Sequence, residues 1–332
     1  MSVLVRIHDG PHAARLEHFK RVVATAIVPF DTDFHAGHEL TGEVLSGRVG
    51  AIRVTRVSAP PMNATRTAGL IRAADSELFK IDLQLRGRTV FAQGGREATL
   101  RPGDFTLLNL SRPSGLVDRD EHEMVAVLFS PAALPLAPDE LDRLTAVRIS
   151  GRSGPGALTA ALAYRLTRRL GDGEPAAALD TGLLDVLAVA LAQRLDGVAA
   201  LPRATRRRAL LAGVQAFIEQ RLADPALSPG LIAAANHISV RLLHKLFETH
   251  ETTVAAWVRQ RRLERCRRDL LDPSLGGWPA AAIGARWGLR NAANFSRLFR
   301  AAYGLPPGRY RLLAAGRPQH CQSAHACLTA IG

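Results

Sequence analysis

A helix-turn-helix pattern stated twice, 52 residues apart, restricts this chain more than any other feature it carries. Sliding residues 229–248 onto 281–300 brings Leu243 onto Phe295, Leu246 onto Leu298 and Phe247 onto Phe299. In the later copy Phe295, Leu298, Phe299 and Ala302 recur at i, i+3, i+4 and i+7, so one narrow helical face is apolar. The opposite face carries Asn291, Asn294, Ser296, Arg297 and Arg300. Ser239 falls on Asn291, two residue types that start helices, and Lys245 falls on Arg297. Asn236 falls on Gly288, where a tight turn calls for a left-handed residue. Ala233 and Ala285 occupy the place where two crossing helices approach closely.

These signals predict a first copy with a helix from Ser228-Pro229 to Ala235, a turn at Asn236-His237-Ile238 and a second helix at Ser239–Glu248. The second copy has a helix at about Pro279–Trp287, a turn at Gly288-Leu289-Arg290 and a second helix at Asn291–Tyr303, stopped by Gly304 and Pro306-Pro307. Between them Val254–Leu271 reads as one basic helix, with Leu263, Cys266 and Leu270 on one side. Arg259, Arg261, Arg262, Arg265, Arg267 and Arg268 occupy much of the rest. Eighteen residues at 1.5 Å each span roughly 27 Å. That is the order needed to hold two helices in successive major grooves, about 34 Å apart.

Charge points to the same half of the chain. Of 332 residues with a net charge of +13, residues 1–202 hold 23 Lys+Arg and 23 Asp+Glu, whereas residues 203–332 hold 20 and 7. A neutral module joined to a polyanion-binding one is the expectation, and nucleic acid is favoured over lipid because no greasy face accompanies the basic residues. No run of eighteen apolar residues occurs and the N-terminus lacks a signal-peptide pattern, so a cytoplasmic, nucleoid-associated protein that does not engage a membrane is expected. Three cysteines, Cys266, Cys321 and Cys327, suit a reducing compartment. Residues 316–332, with His320, Cys321, His325 and Cys327, read as a disordered tail.

In the N-terminal half the period changes to two. Phe79, Ile81, Leu83 and Leu85 alternate strictly with Lys80, Asp82, Gln84 and Arg86, a half-buried strand. Thr89–Gln93, Phe105–Leu110 and Met124–Phe129 read as further strands, with turns at Gly94-Gly95 and Pro102-Gly103. Short strands at this spacing predict an antiparallel barrel or sandwich over about residues 20–135. The row Phe79, Ile81, Leu83 and Leu85 would line a ligand cavity or fill the core. His35 and His38 fall in a Gly- and Asp-containing stretch that reads as a solvated loop. Leucines repeat from Leu158 to Leu170 and from Leu183 to Leu195, a helical hairpin over about residues 153–197, and Val198–Thr205 reads as a linker.

The second copy, Asn-Phe-Ser-Arg-Leu-Phe-Arg followed by Tyr-Gly-Leu-Pro-Pro-Gly-Arg-Tyr-Arg, resembles the signature of the AraC/XylS family of transcription regulators. His-Ile-Ser-Val-Arg-Leu-Leu-His-Lys-Leu-Phe is similar to that family's first motif, and Leu-Arg-Pro-Gly-Asp-Phe to a strand-turn-strand of its ligand-binding domains. The resemblance implies a two-domain α+β chain: a cupin-like barrel with a dimerising helical hairpin over residues 1–197, then a double helix-turn-helix domain over 206–315. It implies a regulator of transcription, an activator, controlled by a small-molecule effector and working with RNA polymerase, with no cofactor. Family positions that face bases fall on Arg241, His244 and Lys245, after Ser239 at the helix start, and on Asn291, Ala292, Ala293, Ser296 and Arg297. Many members have polar residues where Ala292 and Ala293 stand, so the first reading helix is expected to carry more specificity. A cupin metalloenzyme fused to a DNA-binding domain is the alternative, but His122 is the one histidine between Ile52 and Phe129. An effector-independent DNA-binding protein is another.

Overall fold

The computed structural model describes residues 2–7, 11–35, 41–74, 76–172, 179–248 and 252–315. The chain divides into two compact units, Met1–Gly213 and Val214–Gly332. The boundary falls within the helix Arg203–Gln220, just beyond the 3-10 turn Val198–Ala200. The cysteines and histidines of the tail, and His38, lie outside the described residues.

The first unit contains twelve described strands: β1 (Ser2–Ile7), β2 (Asp31–Phe34), β3 (Gly42–Val49), β4 (Ile52–Ala59), β5 (Met62–Arg66), β6 (Phe79–Arg86), β7 (Thr89–Gln93), β8 (Arg96–Leu100), β9 (Asp104–Asn109), β10 (Ser114–Asp118), β11 (His122–Phe129) and β12 (Ile149–Ser150). They form two antiparallel sheets, one ordered β1-β3-β4-β11-β6-β9-β12 and the other β2-β5-β10-β7-β8. The domain is therefore a two-sheet sandwich, and the expectation of a closed barrel is corrected. Alternation along a strand fixes which side chains face inward, in a barrel or in a sandwich; it does not say whether edge strands join.

Two apolar cores lie on the two sides of the seven-stranded sheet. Between the sheets, Val57, Phe91, Leu100, Leu108, Leu116 and Leu128 pack together. On the outer side, Phe79, Ile81 and Leu83 pack with Leu162 and Leu166 of the helix Gly154–Gly171 and with Leu183 and Leu187 of the helix Leu179–Arg194. Each such side chain contributes on the order of 1.5–3 kcal/mol by leaving water. The helical hairpin was legible from its leucines. The side of the strand it covers was not: Phe79, Ile81, Leu83 and the partly buried Leu85 sit under the hairpin and do not line the space between the sheets. A fully buried arginine ties the sandwich together, Arg66 donating to the carbonyls of Leu110 (2.8 Å), Pro29 (3.0 Å) and Ala74 (2.9 Å).

Candidate nucleic-acid interface

Both helix-turn-helix copies form in the second unit. The first begins at Ser228, whose Oγ accepts from the Leu231 amide, and continues as the helix Pro229–Ala235. His237 then turns the chain with φ of +53°, and Ile238 N donates to Ala233 O at 3.0 Å. Ser239 Oγ accepts from Leu242 N at 3.1 Å and starts the reading helix Val240–Glu248. In the second copy the helix Ala280–Arg286 ends at Gly288, φ +75°, and Leu289 N donates to Gly284 O at 2.9 Å. Asn291 Oδ1 accepts from Asn294 N at 2.9 Å and starts the reading helix Ala292–Tyr303, which Gly304 closes in the left-handed conformation.

These bonds correct the repeat by one position. The first helices and their turns match at an offset of 51, Ala233 with Gly284 and His237 with Gly288, while the reading helices match at 52. The second turn is one residue longer. Sliding one copy over the other at 52 anchors on Leu243, Leu246 and Phe247 of the reading helix and leaves out the first helices, where the buried Ile232 and Ile283 match at 51. The close approach belongs to Gly284: a Cβ there would stand 2.8 Å from the Phe295 ring.

Burial of Leu243, Leu246 and Phe247, and of Phe295 and Phe299, fixes which faces look outward. Arg241, His244 and Lys245 are exposed on the first reading helix. On the second, Ala292, Ala293 and Arg297 are exposed and Ser296 is half-buried. Arg297 Nη2 donates to Asn294 Oδ1 at 3.0 Å, which steers the guanidinium along the helix. Ser239 and Asn291 use a side-chain oxygen as helix caps, so their first role is to start the helices. A depression of about 650 Å³ lies alongside Ala293, Ser296, Arg297 and Arg300. Val240 and Leu242, which are not among the positions expected to face bases, are also exposed, so the first helix offers methyl groups beside its cations.

The helix Val254–Leu271 forms as expected, with Leu263, Cys266 and Leu270 buried. Several of its arginines serve the domain itself. Arg261 pairs with Glu219 and Glu264, and Arg265 Nη2 lies 3.0 Å from Glu219 while its guanidinium stacks over Trp287 at 5.6 Å. Burial works against ionisation of Glu219, yet the hydrogen bonds and charges of Arg261 and Arg265 hold its carboxyl below the usual range. Arg262 donates to the carbonyls of Leu222 (2.9 Å) and Asp224 (2.6 Å), and burial lowers its pKa. Arg267 lies over the Tyr303 ring. Burial pushes the Cys266 thiol up to about 12, as suits a small core residue.

Residues 19–196 match the AraC-binding-like domain and residues 232–312 a helix-turn-helix domain. The transcriptional activator NphR of a Rhodococcus species is 32% identical over 266 residues, covering 79% of this chain and 78% of its own. This chain belongs to the AraC family. The transcriptional activator RhrA of Rhizobium meliloti is 30% identical over 48% of this chain and 49% of its own. The solved AraC-like transcriptional activator CuxR is 17% identical, covering 88% of this chain and 100% of its own with a TM-score of 0.47. A DNA-binding transcription regulator is thus joined to an AraC-binding-like domain.

Within that AraC-binding-like domain, the face of β6 turned between the sheets carries Lys80, Asp82 and Gln84, each at most 2% exposed. As the polar half of an alternating strand they read as solvated, because alternation cannot tell water from a second buried face. His35, by contrast, is part-buried and lies with Nε2 3.3 Å from Asn63 Oδ1.

Proposed function

We propose that this AraC-family regulator is an activator that reads two adjacent major-groove half-sites per chain and is controlled by a small-molecule effector held in the N-terminal domain. The observation that carries the DNA reading is the pair of reading helices, each started by a side-chain cap and each turning cations outward. Arg241 and Lys245 can donate to guanine N7 and O6, Ser296 is adaptable, and Ala292 and Ala293 suit thymine methyl groups. With His244, Val240 and Leu242 also outward, the first helix offers the richer set. The helices Gly154–Gly171 and Leu179–Arg194 would join two copies, RNA polymerase would be the protein partner, and the setting is the cytoplasm, at the nucleoid. Among the described residues no helix is long and apolar enough to cross a membrane. The metalloenzyme alternative needs a donor set, and among the described residues no three His, Cys, Asp or Glu side chains converge.

The test is binding to randomised duplex followed by sequencing. Arg241→Ala and Arg297→Ala should each relax preference at a few positions and cost roughly 1–3 kcal/mol on the best site. Wild-type preference in both variants would show that these helices do not read the bases.

A further inference from the structure

The helix His12–Ala26 packs on β1, β3 and β4 at the edge of the seven-stranded sheet, and a groove of about 420 Å³ remains between them. That volume falls within the roughly 300–1,000 Å³ of small-molecule sites. Strand register builds its floor in rows on one face: Val5 beside Val44, Val3 beside Ser46, and Arg48 beside Arg53. The helix supplies the opposite wall with Arg21, Val22 and Thr25. Arg53 Nη1 donates to Thr25 O at 2.8 Å and Thr55 Oγ1 to Ala26 O at 3.1 Å, so the end of the helix is pinned to β4 and the groove has a fixed width there.

Its charge is one-sided. Arg48 and Arg53 stand directly opposite each other on an antiparallel pair, an arrangement in which like charges repel. Arg21 is the third guanidinium, one helical turn before Thr25 and on the same face. No carboxylate lines the groove, and among the described residues none pairs with any of the three. The bond to Thr25 accounts for one N–H of Arg53, while Arg21 and Arg48 are exposed. Beside these cations Val3 is 53% exposed and Val5 and Val22 are half-buried, an apolar surface that packing leaves uncovered. A guanidinium forks onto the oxygens of a carboxylate or phosphate, and valines gain only from an apolar neighbour. The two requirements together describe one kind of molecule. Nucleic acid meets the first and not the second, because its charged backbone would lie against the valines.

We propose that this groove is a ligand site and that it takes a small amphiphilic anion, an apolar body carrying one carboxylate or phosphate ester group. The anionic group sits on Arg48 and Arg21, and the body covers Val3, Val5 and Val22. The groove is walled by the helix and not by the second sheet, and the inference does not rest on the effector reading above. A bound anion offsets the repulsion between Arg48 and Arg53 and ties the helix to β1, so it stabilises the N-terminal unit.

The test is calorimetry and thermal melting of the full chain with acetate, butanoate, hexanoate, hexyl phosphate, hexan-1-ol, hexylamine and inorganic phosphate. Hexanoate or hexyl phosphate should bind once per chain and raise the melting temperature with concentration, and the tighter of the two identifies the anionic group. Affinity should rise from acetate to hexanoate, and inorganic phosphate should bind at least tenfold more weakly than hexyl phosphate. The alcohol and the amine should not bind. Arg48→Gln should weaken the anion tenfold or more, and Val3→Asp should do the same by placing a carboxylate in the groove; both positions are exposed, so neither variant disturbs the core. Hexylamine binding as well as hexanoate, inorganic phosphate binding as tightly as hexyl phosphate, or undiminished binding in either variant would overturn the assignment. So would a failure of both six-carbon anions to bind.

Discussion

Replacing Asp118 by Asn probes the buried polar groups of the N-terminal domain through stability. Burial raises the Asp118 carboxyl from 3.8 to about 7, and the Thr89 hydroxyl, which donates to it, offsets only part of this. Burial, helped by Arg86, lowers the His122 imidazole from 6.5 to about 4. Asp118 makes the folded chain the tighter proton binder between these two carboxyl values, so its contribution falls as pH rises from about 4 to 7. His122 makes the unfolded chain the tighter binder, so its contribution is lost as pH falls from 6.5 towards 4. Each slope is near 1.4 kcal/mol per pH unit, and where the windows overlap they cancel. The pair keeps about one proton, folded or unfolded. In Asp118→Asn only the His122 slope remains, so the variant should lose about 3 kcal/mol on acidification across that window while this pair leaves the wild type level. Above pH 7 the variant escapes the cost of a buried carboxylate and should gain on the order of 4 kcal/mol, less whatever its amide leaves unpaired. Urea unfolding of the full chain followed by far-ultraviolet circular dichroism measures this. Trp257, Trp278 and Trp287 all belong to the second unit, so their fluorescence reports that unit alone and should not change. Parallel pH profiles for wild type and variant would refute the proton arrangement.

Arg66→Leu removes the donor to three carbonyls inside the sandwich and should cost about 3–5 kcal/mol in the same urea experiment, with DNA binding intact in whatever fraction folds. Gly284→Val drives side-chain atoms into the Phe295 ring and should destabilise the second unit by at least 1–3 kcal/mol, visible in tryptophan fluorescence; an unchanged midpoint would move the close approach elsewhere. The salt dependence of DNA affinity should correspond to fewer phosphate contacts than the second unit has basic residues, and Arg265→Ala should lower stability while leaving that slope unchanged.

What was legible in the sequence was whatever large apolar side chains or caps mark. Leu243, Phe247, Phe295 and Phe299 placed both reading helices, and Ser239 and Asn291 placed their starts within a residue. The leucines from Leu158 to Leu191 gave the hairpin in the same way. The extra residue of the second turn was missed because a single offset was taken from the reading helices, while the buried Ile232 and Ile283 of the first helices stand 51 apart and carry the shorter register. The polar face of β6 was unreadable for a different reason. A strand that has a second sheet on one side and helices on the other buries both rows, and only the tertiary arrangement shows that Lys80, Asp82 and Gln84 are indoors.

The surplus of charge shows the same division between domain and residue. Twenty basic against seven acidic side chains over residues 203–332 identify a domain built for a polyanion. They do not say which cations touch it. On the helix Val254–Leu271, the acidic Glu219 holds Arg261 and Arg265, carbonyls hold Arg262, and Tyr303 underlies Arg267. Arginine serves both roles because its planar guanidinium can stack on a ring and fork onto oxygens without giving up its charge. Those side chains therefore fix the helix that separates the two reading heads while still adding to the positive field that draws DNA in. Specificity is left to the few cations that the reading helices hold outward, and the field of the remaining charge raises the rate at which the duplex arrives.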